Sequence, residues 1–135
     1  MAATVDNIGI VHYSQGRYAE AMKCYEESLA IKRRLGNEPD VAKTLTNIGL
    51  VHYAQGRYEQ AMKCLEESLA ISRKLGDEPG LAMTLGGMAL LHQARKEPAK
   101  ALPFAREAAQ LAHKVGLPNV AVFDKLVADL EKAAK

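Results

Sequence analysis

Residues Thr44–Met83 reproduce Thr4–Lys43 without a gap, and 27 of the 40 aligned positions are identical. A fixed period in the range of 20–50 residues marks a chain built from stacked supersecondary units. Each such unit covers its apolar face with a neighbour, which restricts the fold more than any other property of this sequence. A third block, Thr84–Phe123, keeps Leu85, Leu90, His92, Ala101, Glu107 and Gly116 in register but has diverged elsewhere.

Within each block the apolar residues recur at helical spacing. Val5, Ile8, Ile10 and Val11 predict a first helix over about Ala3–Ser14, and Gly16 supplies the left-handed residue that closes it. Tyr18, Ala21, Met22, Tyr25, Leu29 and Leu35 predict the apolar stripe of a second helix, stopped by Gly36. Asn37 or Glu38 then opens the next helix, with Pro39 in the first turn, where its missing N–H costs nothing. The second block repeats this grammar through Gly56, Gly76, Asp77 and Pro79. Glu26, Glu27, Lys32 and Arg33, with Glu66, Glu67 and Arg73, read as the solvated outer face of the second helix of each pair.

In the third block Lys96 replaces the turn glycine, Pro98 enters a first turn, and Pro103 lies inside the helix, where it removes a backbone hydrogen bond. A final helix is expected over about 118–134, with Val120, Phe123, Leu126, Val127 and Leu130 on its apolar face. Its polar side, with Asp124, Lys125, Asp129 and Lys132, suits a helix that covers the end of a stack.

The net charge of +2 is too small and too dispersed to argue for nucleic acid or an anionic membrane. No apolar run reaches the roughly 18–20 residues a membrane span needs, and MAATVDNIGI lacks the layout of a secretory signal. A cytoplasmic location is the expectation. Cys24 and Cys64 occupy the same repeat position and read as small buried thiols. Equivalent sites in stacked repeats lie about 10 Å apart, too far for a disulfide.

The blocks resemble tetratricopeptide repeats over about Thr4–Gly116. The family's pattern falls on Val5, Ile8-Gly9, His12, Gly16, Tyr18, Ala21, Tyr25 and Ser28. In the second block it falls on Leu45, Ile48-Gly49, His52, Gly56, Tyr58, Ala61, Leu65 and Ser68. The usual repeat has 34 residues; the additional residues here lengthen the second helix, as in the subclass that resembles kinesin light chain and spindle-orientation adaptor repeats. The resemblance implies an all-α fold, a right-handed α–α superhelix of three helical hairpins plus a C-terminal capping helix. As one domain over 1–135, its repeats would span about 4–43, 44–83 and 84–117, with the cap at about 118–134.

The resemblance also implies a concave groove lined by the first helix of each hairpin. Its residues would be Asn7, Ile10 and Tyr13, then Lys43, Asn47, Leu50 and Tyr53, then Leu90 and Gln93. Lys43 and Thr46 would stand at the rim. Asn7 and Asn47 match the asparagine that many members use to hold a ligand's backbone, since an amide both donates and accepts. Gly87 breaks that series, and bracing of its own helix is the alternative role for each Asn. Asp6, Ile10, Met83 and Gly87 stand where the clamp for acidic chaperone tails looks for basic and amide groups. An apolar or amphipathic segment is therefore the expected partner, bound as a helix or extended chain.

His12, His52 and His92 share one slot. Stacking spaces them by about 10 Å, whereas metal ligands converge at about 2.0–2.1 Å, so they read as packed, hydrogen-bonded imidazoles. No catalytic residue, metal or cofactor is expected, for want of paired carboxylates, zinc spacing or a nucleophile elbow. A non-enzymatic protein-interaction scaffold is the resulting expectation. The alternatives are a self-associating domain that stacks or exchanges hairpins through its first repeat, or a fragment or designed repeat protein whose activity lies elsewhere.

Overall fold

A computed structural model describes residues 16–135. The expectations for the first helix, including Asn7, Ile10, Tyr13 and His12, lie outside the described residues. In chain order the described helices are α1 (Tyr18–Arg34), α2 (Glu38–Ala54), α3 (Tyr58–Leu75), α4 (Glu78–Ala94), α5 (Pro98–Val115) and α6 (Val120–Ala133). No strand occurs among the described residues. The chain divides into two compact units, Met1–Ile71 and Ser72–Lys135, with the boundary inside α3.

The turns follow one recipe. Gly36, Gly56, Gly76 and Gly116 all take the left-handed conformation, with φ between 66° and 75°. After each, the next residue's N–H reaches back to the last turn: Asn37 to the Lys32 carbonyl at 3.0 Å, Arg57 to His52 at 2.8 Å. Two carbonyls that the helix leaves orphaned are satisfied in this way. Lys96 adopts the same conformation with φ 60°, and Glu97 N–H closes the turn on His92 at 2.8 Å. A side chain there costs about 1–2 kcal/mol. Lys96→Gly is therefore expected to stabilise the protein by about 1 kcal/mol, visible as a higher denaturant midpoint; an unchanged or lower midpoint would contradict this.

At the helix starts, Asn37 Oδ1 accepts from Asp40 N–H at 3.4 Å and Asp77 Oδ1 from Gly80 N–H at 3.0 Å. Helix α5 runs unbroken across Pro103. Pro103 and Ala99 are both exposed, so water can meet the Ala99 carbonyl that loses its donor.

In the first unit, α1 packs on α2 around Ala21, Tyr25, Ile48 and Val51, with Tyr18, Met22, Leu29 and Cys64 against them. Helices α2 and α3 approach closely because Gly49 has no side chain: a Cβ there would stand 3.2 Å from Leu65 Cδ2 and 3.4 Å from the Ala61 carbonyl. Beside this contact Thr46 Oγ1 and Ser68 Oγ lie 2.8 Å apart and share the Ala42 carbonyl. Thr46 thus faces α3 rather than standing at a groove rim.

Three further expectations are corrected. Lys32 is not on the solvated face: it is buried, and its Nζ donates to Thr44 Oγ1 at 2.9 Å. Leu35 is 72% exposed because the helix ends at Arg34 and leaves Leu35 outside its stripe. Cys24 and Cys64 are half-buried free thiols. The exposed pair Arg33–Glu67, at 2.9 Å, does match the outward reading.

In the second unit α5 packs against both α4 and α6. Its inner side is almost entirely alanine: Ala101, Ala105, Ala108, Ala109 and Ala112 are buried. Leu130 of α6 joins Ala89, Ala101 and Ala105, and Leu126 and Val127 lie against this cluster. Phe123 is buried over Gly86, where a Cβ would come within 2.9 Å of its ring. Gly86 and Ala108 occupy the repeat positions of Thr46 and Ser68. The polar pair of the second repeat is thereby replaced by two small residues, and the aromatic ring of α6 rests on the first of them.

Candidate functional site

Helix α2 buries one side and leaves another exposed or half-buried. Val41, Leu45, Ile48 and Val51 are buried in the first unit. On another side, Lys43, Asn47, Leu50 and Ala54 follow one another at spacings of four, three and four, and so form one stripe. Lys43 and Ala54 are exposed, while Asn47 and Leu50 are half-buried. The structure therefore brings Lys43, Asn47 and Leu50 together, with half-buried Tyr53 beside them.

The chemistry along this stripe changes from end to end. Lys43 offers an ammonium near the start of α2, and Leu50 offers apolar surface more than a turn further on. Between them, the Asn47 amide has no hydrogen-bond partner among the described residues. Among the described residues it does not brace its own helix, and an amide brings both donor and acceptor capacity to the stripe. Tyr53 is held at the far end by Tyr58, the two rings lying 6.0 Å apart at 52°. That contact joins the end of α2 to the start of α3 and limits how far the ring can turn.

Helix α4 carries the same register in the second unit, with different chemistry. Met83 is 49% exposed, Leu90 is half-buried and Gln93 is exposed. Gly87, at the place of Asn47, is buried and brings no amide. Position 83 therefore presents a flexible thioether where position 43 presents a cation.

The histidines at the shared slot differ. His92 Nδ1 lies 3.3 Å from Glu97 Oε1, and its ring stacks on Phe104 at 5.5 Å and 7°. This is the packed, hydrogen-bonded imidazole the repetition predicts. Hydrogen bonds from Lys100, then His92, hold the Glu97 carboxyl below the usual range. His52 departs from that expectation, because its buried Nδ1 has no hydrogen-bond partner. Arg57 stands at the repeat position of Glu97. Burial first, and then the Arg57 charge, hold His52 below the usual imidazole range, with Glu26 opposing.

The half-buried Cys64 thiol is not activated as a nucleophile. Burial pushes the Cys64 thiol up, Glu67 adds to the effect, and Arg33 opposes it, so the reactive thiolate is disfavoured. No group of three or more potential metal ligands occurs among the described residues. None of the described helices is long and apolar enough to cross a membrane.

A family model described as "Tetratricopeptide repeat" matches residues 1–74 and 40–114. No protein of curated function matches the chain in sequence. Among solved structures, BtubC (BKLC) from P. vanneervenii is similar with a TM-score of 0.87 at 18% identity, covering 98% of this chain and 56% of that one. A putative kinesin light chain from Podosopora anserina with nearly identical TPR-like repeats gives 0.82 at 19%, covering 98% and 66%. The first TPR of Spaghetti (RPAP3), bound to the HSP90 peptide SRMEEVD, gives 0.73 at 16%, covering 98% and 92%. The chain thus spans little more than half the length of the BtubC chain. At these identities the likeness establishes the fold, an all-α tandem helical repeat.

Proposed function

The chain belongs to the tetratricopeptide repeat family, and from that premise we propose that it is a protein-interaction module binding a peptide or helical segment along its first-helix faces. The observation that carries this reading is the Asn47 amide, without a hydrogen-bond partner among the described residues and set between the ammonium of Lys43 and the apolar Leu50 and Tyr53. A main chain needs a donor and an acceptor together, and a half-buried Asn offers both. The RPAP3 domain, similar in fold, holds a peptide.

On α2, Leu50 and Tyr53 favour an amphipathic segment over an acidic tail, and the corresponding positions of α4 hold the uncharged Leu90 and Gln93. The second stripe brings no charge at Met83, Gly87 or Leu90. By family resemblance, Asn7, Ile10 and Tyr13 belong to the same set of contact residues in this proposal. The module acts as a cytoplasmic scaffold, without catalysis, nucleic acid or membrane.

The test is a selection of binders from a random peptide library, followed by affinity measurements on variants. Asn47→Ala and Leu50→Ala are each expected to weaken binding about tenfold or more, as truncation of a central contact does. Glu66→Ala, on the exposed side of α3, is expected to leave affinity unchanged. Selected peptides whose affinity is indifferent to both α2 substitutions would sink the reading.

A further inference from the structure

We propose that His52 makes the hairpin of α2 and α3 acid-sensitive: a proton on its buried Nδ1 meets a cation where the third repeat offers a carboxylate, and the turn at Gly56 loosens. His52 and His92 occupy one repeat position, in the last turn of α2 and of α4. The backbone around them is the same. Arg57 N–H closes its turn on the His52 carbonyl at 2.8 Å, and Glu97 N–H closes its own on the His92 carbonyl at 2.8 Å. Only the side chains differ.

At His92, Nδ1 lies 3.3 Å from Glu97 Oε1 and the ring stacks on Phe104, so an N–H at that nitrogen has an acceptor. In the second repeat the positions of Glu97 and Phe104 hold Arg57 and Cys64. His52 Nδ1 is buried and has no hydrogen-bond partner among the described residues. A neutral imidazole accommodates this by carrying its one proton on Nε2, whereas the imidazolium carries an N–H on both nitrogens. Protonation therefore places a buried N–H, and a charge, where no acceptor stands among the described residues.

The surrounding groups oppose that proton on balance. Arg57 repels it from the turn, and Glu26 on α1 attracts it more weakly than Arg57 repels. On α3 the Cys64 thiol brings no charge, because burial and then Glu67 push it up, against Arg33. Burial first, then Arg57, thus hold His52 below the usual imidazole range. The unfolded chain, whose imidazole titrates near about 6.5, then takes a proton that the folded hairpin does not. Stability is fully present above about pH 6.5 and is lost as the pH falls below it. The loss falls on the turn, since its closing bond is made to the carbonyl of His52 itself and Tyr53 packs on Tyr58 across it. The same hairpin carries Leu50 and Tyr53. An effect on the α2 stripe rests on the peptide-binding reading, whereas the acid sensitivity is a property of the free protein.

Amide hydrogen exchange of the free, intact protein at about pH 7.5 and about pH 5, each rate divided by the intrinsic rate at that pH, tests this. Protection of the amides over 52–61 is expected to fall about threefold or more at the lower pH, a local opening within the range such turns show. Arg57→Glu installs the arrangement of the third repeat at an exposed position and is expected to remove most of that loss. His52→Asn, which keeps a polar group near the place of Nδ1 without a titrating ring, is expected to do the same. Ring titration of the wild-type protein by NMR supplies a readout that depends on no variant: His52 is expected to titrate below the usual imidazole range, with its neutral form protonated on Nε2. Protection that does not change with pH, a loss that Arg57→Glu leaves undiminished, or a neutral ring protonated on Nδ1 would overturn the proposal.

Discussion

Phe123→Ala is expected to destabilise the second unit by about 3–5 kcal/mol, the range for truncating a buried aromatic side chain. The ring is 5% exposed and rests on Gly86, so its removal leaves a hole that no side chain at position 86 can fill. Few other contacts could compensate, because α5 presents mostly alanine to α6. Leu130 would remain as the principal buried anchor of α6. Denaturant unfolding should show the loss, and hydrogen exchange should place it in the amides of α6. Gly86→Ala supplies the complementary check. Helix propensity alone favours alanine over glycine by about 1 kcal/mol, yet a Cβ 2.9 Å from Phe123 Cε1 forces the ring out of its seat. The variant is expected to be no more stable than wild type, and a gain would show that the ring is not tightly seated.

Leu65→Ala is expected to cost about 2–5 kcal/mol, through lost apolar burial and through the cavity left behind. Leu65 is 1% exposed and sits 3.2 Å from where a Cβ on Gly49 would stand. The expected cost lies toward the upper end, because Gly49 has no side chain that could relax into the space. A double variant tests this reasoning. In the Leu65→Ala background, Gly49→Ala should recover part of the loss, since its methyl group then finds room and the helix gains propensity. In the wild-type background the same change should give little or nothing. Additive effects would indicate that the two residues are not packed on each other.

The repeat made most of the fold legible in advance. The turn glycines, the starts at Asn37 and Asp77, and the close approach at Gly49 all follow from local rules, and local rules carry over from one copy to the next. Misreadings arose where burial depends on the neighbouring helix. Lys32 reads as outward because it belongs to a charged run, yet the same position holds Ser72 and Ala112 in the later repeats. Small residues at that slot signal an enclosed site, and the lysine is the exception among the three blocks. Gly86 gave a weaker signal. A glycine inside a helix suggests close approach, but only the position of α6 reveals that Phe123 is what approaches.

The candidate site was legible in part. Spacing alone groups Lys43, Asn47 and Leu50 on one face, but it does not reveal whether Asn47 is already spent on an internal hydrogen bond. Nor could it show that Tyr53 is held by Tyr58, since the pairing depends on how the turn at Gly56 brings two helix ends together. The exposure of Met83 likewise depends on packing rather than periodicity.

The central claim is that the stripe on α2 receives a peptide. Amide hydrogen exchange of the protein, free and saturated with a library-selected peptide, tests it most directly. The account predicts increased protection concentrated in α2 over residues 43–54, lost when Asn47→Ala and Leu50→Ala are combined. Protection confined to the exposed sides of α1 and α3, with α2 unchanged, would contradict it.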